Sequence, residues 1–123
     1  MADFMSRGPY TIGVAQPLAE ADRLMRKYDV RHLPVLDVGR LVGIVSQREL
    51  DLLMTAPEID SAVQPVSRAM AKDVLVVAPT DRISQVAARM ADRRVGSAVV
   101  AIGGDVMGVF TTIDALRALV VTS

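Results

Sequence analysis

The stretch Gly43–Glu49 reads Gly-Ile-Val-Ser-Gln-Arg-Glu, and it returns 65 residues later at Gly108–Asp114 as Gly-Val-Phe-Thr-Thr-Ile-Asp. In both copies a glycine is followed by two apolar residues, then by a hydroxyl residue three positions before a carboxylate. This pattern is typical of a strand that leads directly into a helix with a capping box. The chain therefore contains the same strand-to-helix junction twice.

The same offset aligns the chain with itself without a gap from Met5/Met70 to Met54/Leu119. Six pairs in this register are identical, whereas chance would give roughly three or four. The stronger signal comes from conservative pairs in the same frame, such as Ile12/Val77, Ile44/Val109 and Glu49/Asp114. The sequence therefore predicts two copies of one supersecondary unit.

Each copy shows the same order of elements. A short strand, Tyr10–Ile12 or Val74–Val77, precedes an amphipathic helix. The apolar positions of that helix are Leu18, Ala21, Met25 and Tyr28 in the first copy, and Ile83, Val86, Ala87 and Met90 in the second. This spacing is helical. Pro17 suits the first helical position, and Asp81 is the predicted N-cap of the second-copy helix.

Two further strands follow in each copy and form a hairpin. They are predicted at Pro34–Leu36 and Leu41–Val45, and at Ala98–Ile102 and Val106–Phe110, with glycine-containing turns between them. A second helix starts at Ser46 or Thr111, and Ala56–Pro65 reads as a linker. We assign residues 1–57 to the first repeat with the start of the linker, and residues 58–123 to the linker end and second repeat.

Length and composition set the fold class. The 123 residues suffice for one compact domain or two very small ones, and 51% hydrophobic with 23% charged residues is a globular composition. One repeat of about 50 residues buries too little surface to be comfortably stable alone. The prediction is an α+β fold with two β-α-β-β-α repeats packed with pseudo-twofold symmetry through their sheets.

Several function classes are disfavoured by composition. Aromatic residues make up 3% and tryptophan is absent, so stacking platforms for nucleic acid are not expected. Fourteen basic residues balance fourteen acidic ones, and with no cysteine and one histidine we expect neither a metal site nor an enzyme. The longest apolar runs have five residues, and no signal peptide is evident, so we expect a cytoplasmic protein without membrane contact.

With these segments in view, the sequence resembles a tandem pair of CBS domains, the module named after cystathionine β-synthase. The resemblance lies in His32–Asp37, which reads His-Leu-Pro-Val-Leu-Asp, in the two strand-to-helix junctions, and in the segment Met5–Ile12. It covers Met5 to about Leu119. The resemblance implies clefts between the copies that bind AMP, ADP, ATP or S-adenosylmethionine and regulate an enzyme or transporter. It also implies a homodimer, and no required cofactor.

The resemblance also implies which residues form each cleft. The stronger cleft would combine one segment set from the first copy with the Thr-x-x-Asp segment of the second: Tyr10, Thr11, Ile12, Val30, Arg31, His32, Leu33 and Pro34, with Thr111, Thr112, Ile113 and Asp114. A carboxylate one turn into a helix can accept hydrogen bonds from both ribose hydroxyls. Thr111 and free N–H groups at the helix start can face a phosphate, which Arg31 and His32 would neutralise.

The weaker cleft would use Val76, Val77, Val95, Gly96 and Ser97 with Ser46, Arg48 and Glu49. It departs from the family pattern because Glu49 replaces an aspartate, and because Gly96-Ser97 stands where the first copy has Arg31-His32. We therefore expect weaker binding there, or a ligand without phosphate.

Plainer interpretations remain open. Ser46/Glu49 and Thr111/Asp114 can act as capping boxes that satisfy helix N–H groups without a ligand, and His32 can be an ordinary half-buried histidine. The main alternative to ligand sensing is a ligand-independent module for dimerisation or protein interaction.

Overall fold

The computed structural model describes residues 1, 4–7 and 10–122, so Gly8 and Pro9 of the segment Met5–Ile12 lie outside the described residues. The chain divides into two compact units. The first-repeat unit consists of Tyr10–Val74, and the second-repeat unit of Met1–Pro9 together with Leu75–Ser123. The division into residues 1–57 and 58–123 stays a prediction about the repeats.

The first-repeat unit contains a three-stranded mixed sheet and two helices. Its elements are β2 (Ile12–Gly13), α1 (Leu18–Tyr28), β3 (His32–Asp37), β4 (Arg40–Ser46) and α2 (Gln47–Met54). Strand β2 runs parallel to β3, and β3 forms an antiparallel hairpin with β4. A short 3₁₀ turn at Val66–Arg68 follows the linker.

The second-repeat unit repeats this order. Its elements are β1 (Ser6–Arg7) from the start of the chain, then β5 (Val76–Val77), α3 (Ile83–Arg93), β6 (Ser97–Ile102), β7 (Asp105–Thr111) and α4 (Thr112–Thr122). The strand order is β1-β7-β6-β5, with β5 parallel to β6 and the other pairs antiparallel. The α+β class and the two β-α-β-β-α repeats are thus confirmed.

The 65-residue offset holds in the backbone geometry. Ile12 pairs with Val35 and, 65 residues on, Val77 pairs with Val100. Both hairpins shift register at the same place, after Val35 and after Val100. The C-caps of α1 and α3 are Asp29 and Arg94, whose φ angles of 53° and 56° are left-handed. A left-handed residue ends a helix by satisfying its last carbonyl groups.

Each unit has its own apolar core between its helices and one face of its sheet. The first-repeat core consists of Ile12, Leu18, Ala21, Met25, Leu33, Val35, Val45, Leu50 and Val66. The second-repeat core consists of Leu75, Val77, Val86, Met90, Ala98, Val100 and Phe110. Equivalent positions fill both cores, which explains why the helical and strand periodicities align under one offset.

Some local predictions require correction. Tyr28 is exposed rather than buried, and its ring stacks on that of Tyr10 at the surface. Pro17 is the N-cap of α1 rather than its first helical residue. Asp81 is not the N-cap of α3, which is Arg82; the Asp81 carboxylate instead accepts the N–H of Ala78 at 2.9 Å. The first strand begins at Ile12, and Tyr10 and Thr11 precede it.

The segment before each repeat pairs with the sheet of the other repeat's unit. Ser6 pairs with Val109 at the edge of β7. Sixty-five residues later, Ala71 pairs with Ile44 at the edge of β4, through two backbone hydrogen bonds of 3.0 and 2.8 Å. Each unit is therefore completed by a segment that precedes the opposite repeat.

Candidate ligand-binding site

Helix α4 begins with a complete capping box. The Asp114 N–H donates to Thr111 Oγ1 at 3.3 Å, and Asp114 Oδ2 accepts from the Thr111 N–H at 2.8 Å and from its hydroxyl at 3.1 Å. The Thr111/Asp114 capping interpretation is therefore confirmed. Because Thr111 holds the carboxylate at two points, the Asp114 side chain is fixed in one orientation.

Asp114 is a buried charged residue, 5% exposed. Both hydrogen bonds to its carboxylate end on Oδ2, and Oδ1 accepts none from the described residues. A carboxylate oxygen that is fixed in place and lacks a donor can accept a strong hydrogen bond from a hydroxyl group. This oxygen is the most suitable ligand-binding atom at the start of α4.

Helix α2 begins with only half of the equivalent box. Ser46 Oγ accepts the Glu49 N–H at 3.2 Å, but Glu49 is exposed and no bond returns from its carboxylate within the described residues. The Glu49 carboxylate is therefore not held at the cap in the way that Asp114 is. Glu49 borders a shallow, open depression lined also by Leu52, Leu53, Arg68, Ala69 and Met70.

The N–H groups at both helix starts are largely used within their own units. The Gln47 N–H donates to the Arg31 carbonyl at 2.8 Å, and the Thr112 N–H donates to the Gly96 carbonyl at 3.0 Å. Thr112 Oγ1 donates to the same Gly96 oxygen at 3.3 Å. The expectation that free N–H groups and the Thr111 hydroxyl face a phosphate is therefore weakened, whereas the expectation that Asp114 accepts hydroxyl groups is not.

The residues predicted to wall in an adenine separate into two groups. The side chains of Ile12 and Leu33 belong to the first-repeat core, so they offer a ligand little more than backbone. Tyr10 is exposed at the surface, and its ring stacks on that of Tyr28 with centroids 4.2 Å apart and planes 18° apart. Of this set, Tyr10 is the exposed side chain.

The remaining first-repeat residues of the stronger cleft lie around the start of β3. Arg31 is exposed and His32 is half-buried. Val30 packs on the core, Pro34 is buried and Thr11 is half-buried. The exposed guanidinium of Arg31 is thus available to an anion.

The second-repeat residues also divide by burial. Thr112 and Ile113 are exposed at the start of α4, as are Val76 and Gly96. Val77 lies in the second-repeat core, Val95 packs against it and Ser97 is half-buried. Arg48 is exposed on α2.

Sequence reasoning missed the contacts of Tyr28. Its ring stacks on that of Tyr10, and the Lys27 ammonium group is 5.3 Å from the Tyr28 centroid. The only signal in the sequence was the rarity of aromatic residues, since the chain has two tyrosines and no tryptophan. That rarity does not by itself indicate that the two tyrosines stack.

Comparison with known proteins identifies the family. The model of the CBS domain matches residues 1–54 and again residues 66–121. The chain belongs to the CBS domain family. The predicted tandem pair of CBS domains is therefore confirmed, with one domain in each repeat.

Curated relatives include proteins of different organisation. A CBS domain-containing protein from Dictyostelium discoideum is 43% identical over 60 residues, which cover 47% of this chain and 41% of that protein. An A-adding tRNA nucleotidyltransferase from Geobacter sulfurreducens is 29% identical over 116 residues, 94% of this chain but 13% of the enzyme. The chain thus spans less than half the length of these two relatives.

Solved structures share the fold along nearly the whole chain. A proposed acetoin utilization protein, AcuB, from Vibrio cholerae has a TM-score of 0.78 and 30% identity, covering 98% of this chain and 89% of that one. The CBS domain pair of protein MJ0100, solved with 5′-methylthioadenosine and S-adenosyl-L-methionine, has a TM-score of 0.82 and 21% identity over 98% of this chain and 95% of its own. The second likeness establishes the fold alone.

The described residues contain neither a candidate membrane span nor a candidate metal-binding cluster. Their helices include none with the length and apolar character needed to cross a membrane. The same residues contain no group of three or more side chains suited to holding a metal ion.

Proposed function

We propose that this CBS domain pair is a regulatory module that binds an adenosine-containing ligand: AMP, ADP, ATP or S-adenosylmethionine. The Asp114 carboxylate carries the proposal, because the residue is only 5% exposed, Thr111 holds its Oδ2, and its Oδ1 accepts no hydrogen bond from the described residues. The solved pair of MJ0100 with two adenosine-containing compounds supports the same ligand class. An attached or separate enzyme or transporter is the proposed target of regulation.

A ribose suits the Asp114 carboxylate better than a phosphate does. Its hydroxyl groups donate hydrogen bonds, and a bond to a charged acceptor contributes about 1.5–3 kcal/mol. An anion close to the same carboxylate would be repelled, so a phosphate has to be neutralised elsewhere.

The test is calorimetric titration of the chain with adenosine, AMP, ADP, ATP and S-adenosylmethionine. We expect Asp114→Asn to weaken binding by about 10-fold or more, which corresponds to losing one charge-assisted hydrogen bond. Asparagine retains an oxygen for the Thr111 N–H, but the nitrogen that replaces the other oxygen cannot accept from a hydroxyl. The matched control is Glu49→Gln at the equivalent position of the first repeat, which should change binding little.

Equal losses in both variants would refute the choice of Asp114, and no heat with any of the five compounds at millimolar concentration would refute ligand sensing. A melting-temperature titration checks the result independently. A ligand that binds only the folded state adds about 2.7 kcal/mol at a hundredfold excess over Kd.

A second candidate is a ligand-independent dimerisation module. The observation that favours it is the apolar surface of α4, where Ile113, Leu116 and Val120 are all more than half exposed. Such a helix face gains free energy when a partner covers it.

A further inference from the structure

The rings of Tyr10 and Tyr28 stack at the surface of the first-repeat unit. Their centroids are 4.2 Å apart and their planes differ by 18°, and this separation is shorter than the roughly 4.5–7 Å that is typical of aromatic pairs. The two residues are 37% and 38% exposed, so a reagent in the solvent can reach both. Tyr10 lies two residues before β2, and Tyr28 is the last residue of α1. The pair therefore brings the entry to the sheet into contact with the end of a helix.

The second repeat shows that the fold does not require this pair. With the 65-residue offset, Tyr10 and Tyr28 correspond to Leu75 and Arg93. Leu75 is buried in the second-repeat core, and Arg93 is the last residue of α3. Since that unit forms the same strand entry and helix end without an aromatic ring at either position, the stacked tyrosines are a feature of the first repeat and not of the repeat fold.

The composition of the chain makes the two phenol rings targets of one-electron oxidation. The chain has two tyrosines, no cysteine and no tryptophan. Methionine is oxidised by gaining an oxygen atom, which gives a sulfoxide, whereas a phenol that loses one electron and one proton becomes a phenoxyl radical. A radical formed on either tyrosine ring has the other tyrosine ring stacked against it.

We propose that Tyr10 and Tyr28 are an oxidative cross-linking site for a one-electron oxidant, such as the ferryl haem that a peroxidase forms with hydrogen peroxide. The oxidant acts twice and removes one electron and one proton from each phenol. The two radicals then form a carbon–carbon bond between the ring carbons that neighbour the oxygen-bearing carbons. Each bonded carbon loses its hydrogen as a proton and each oxygen regains one, which restores both phenols. Two tyrosines and one hydrogen peroxide thus give one dityrosine and two molecules of water.

The cross-link ties the chain before β2 to the end of α1. It closes a loop of 19 residues, from Tyr10 through Tyr28, and so removes conformational freedom from the unfolded chain as a disulfide does. The loop-closure entropy, divided by the unfolding entropy of a chain of this size, predicts a rise in Tm of roughly 10 °C. Oxidation therefore leaves a covalent brace in a chain that has no cysteine for a disulfide.

Treatment of the wild-type chain with peroxidase and hydrogen peroxide tests the proposal. At about 10 μM chain, coupling within one molecule is favoured roughly 100-fold over coupling between two, because even a flexible tether gives an effective concentration of about 1 mM. We expect a monomeric product with the blue fluorescence of dityrosine. Trypsin separates the tyrosines into residues 8–23 and residues 28–31, neither of which contains methionine. The product should yield these two peptides joined, with a mass lower than their sum by two hydrogen atoms.

Two variants separate the stacked geometry from the mere presence of tyrosines. Tyr28→Phe keeps a ring but removes one phenol, and it should give no cross-link within the chain. Tyr28→Phe combined with Val63→Tyr restores two tyrosines, at an exposed linker position. Position 63 adjoins the start of α1, where the Gln64 carbonyl accepts the Leu18 N–H, and α1 extends about 15 Å from there to Tyr28. We expect the double variant to give at least 10-fold less cross-link within the chain than the wild type.

Each part of the proposal has an outcome that would overturn it. Wild-type products linked only between chains, or methionine oxidation without the joined peptides, would overturn the cross-linking site. An equal yield from the double variant would overturn the role of the stacked geometry. A linked chain with the Tm of the untreated chain would overturn the covalent brace. None of these results bears on the proposed function, which is measured by ligand titration.

Discussion

Replacing Gly43 by alanine should loosen the segment that follows the linker. A Cβ atom at Gly43 would lie 2.7 Å from Met70 Sδ and 2.8 Å from the Ala71 carbonyl oxygen. The methionine side chain can move, but the carbonyl belongs to the backbone pair between Ala71 and Ile44. The alanine therefore has to push this pair apart.

The expected loss can be worked out from those contacts. Two backbone hydrogen bonds at about 1 kcal/mol each, together with displacement of Met70, amount to about 2–3 kcal/mol. Alanine regains about 0.5–1 kcal/mol over glycine in the unfolded chain. The net destabilisation is about 2 kcal/mol. For 123 residues an unfolding entropy of about 2.1 cal/mol/K per residue converts this to a fall in Tm of roughly 8 °C.

Chemical and thermal unfolding measure this loss, and hydrogen exchange locates it at the amides of Ile44 and Ala71. The matched control is Gly13→Ala in the same unit, where the nearest atom, Gln16 Cγ, is at an ordinary 3.5 Å. The control should be neutral or slightly stabilising. If Gly43→Ala retains the wild-type free energy of unfolding and the protection of both amides, the close approach of Ala71 to β4 is refuted.

Two further expectations concern the hairpin turn and the pH dependence of stability. Val38 is 96% exposed and has a left-handed φ of 49°, a strained conformation for valine, where the second repeat has Gly103. Val38→Asn should therefore stabilise the chain by about 1 kcal/mol and raise Tm by roughly 4 °C. A Tm at or below that of the wild type would contradict backbone strain at Val38. Hydrogen bonds from Arg23 lower the pKa of the Glu20 carboxyl from 4.5. The Glu20–Arg23 pair therefore stabilises the folded chain fully above about pH 4.5, and this stabilisation is lost as the pH falls through the lowered pKa of Glu20 in the folded chain. Glu20→Gln should therefore reduce the dependence of the free energy of unfolding on pH across that range. Identical pH profiles for the variant and the wild type would refute the stabilising role of this pair.

The fold was predictable because the two repeats constrain each other. The periodicity of either helix alone is ambiguous, but Met25/Met90 and Val35/Val100 occupy the same core positions in both units. The errors fall where a local contact decides the outcome. Tyr28 follows the helical spacing of a core residue, yet it lies at the surface, where its ring stacks on that of Tyr10.

The residues of the candidate site could be proposed from the sequence, but which of their atoms already form hydrogen bonds could not. The Thr-x-x-Asp spacing indicated Asp114, and both the capping and the ligand-binding interpretation were consistent with it. Only coordinates show that Thr111 occupies Oδ2 and that the Thr112 N–H is used by Gly96. A hydrogen bond of this kind depends on distances of tenths of an ångström, which residue spacing does not fix.

The pairing of Ser6 with Val109 and of Ala71 with Ile44 bears on how such a chain arises. A single repeat has one leading segment and one open sheet edge, and in a pair of identical molecules the leading segment of each can pair with the sheet edge of the other. Fusion of two such genes places these strand pairings within one polypeptide without changing them. Duplication then frees each half to diverge, as at the equivalent positions Asp51 and Leu116.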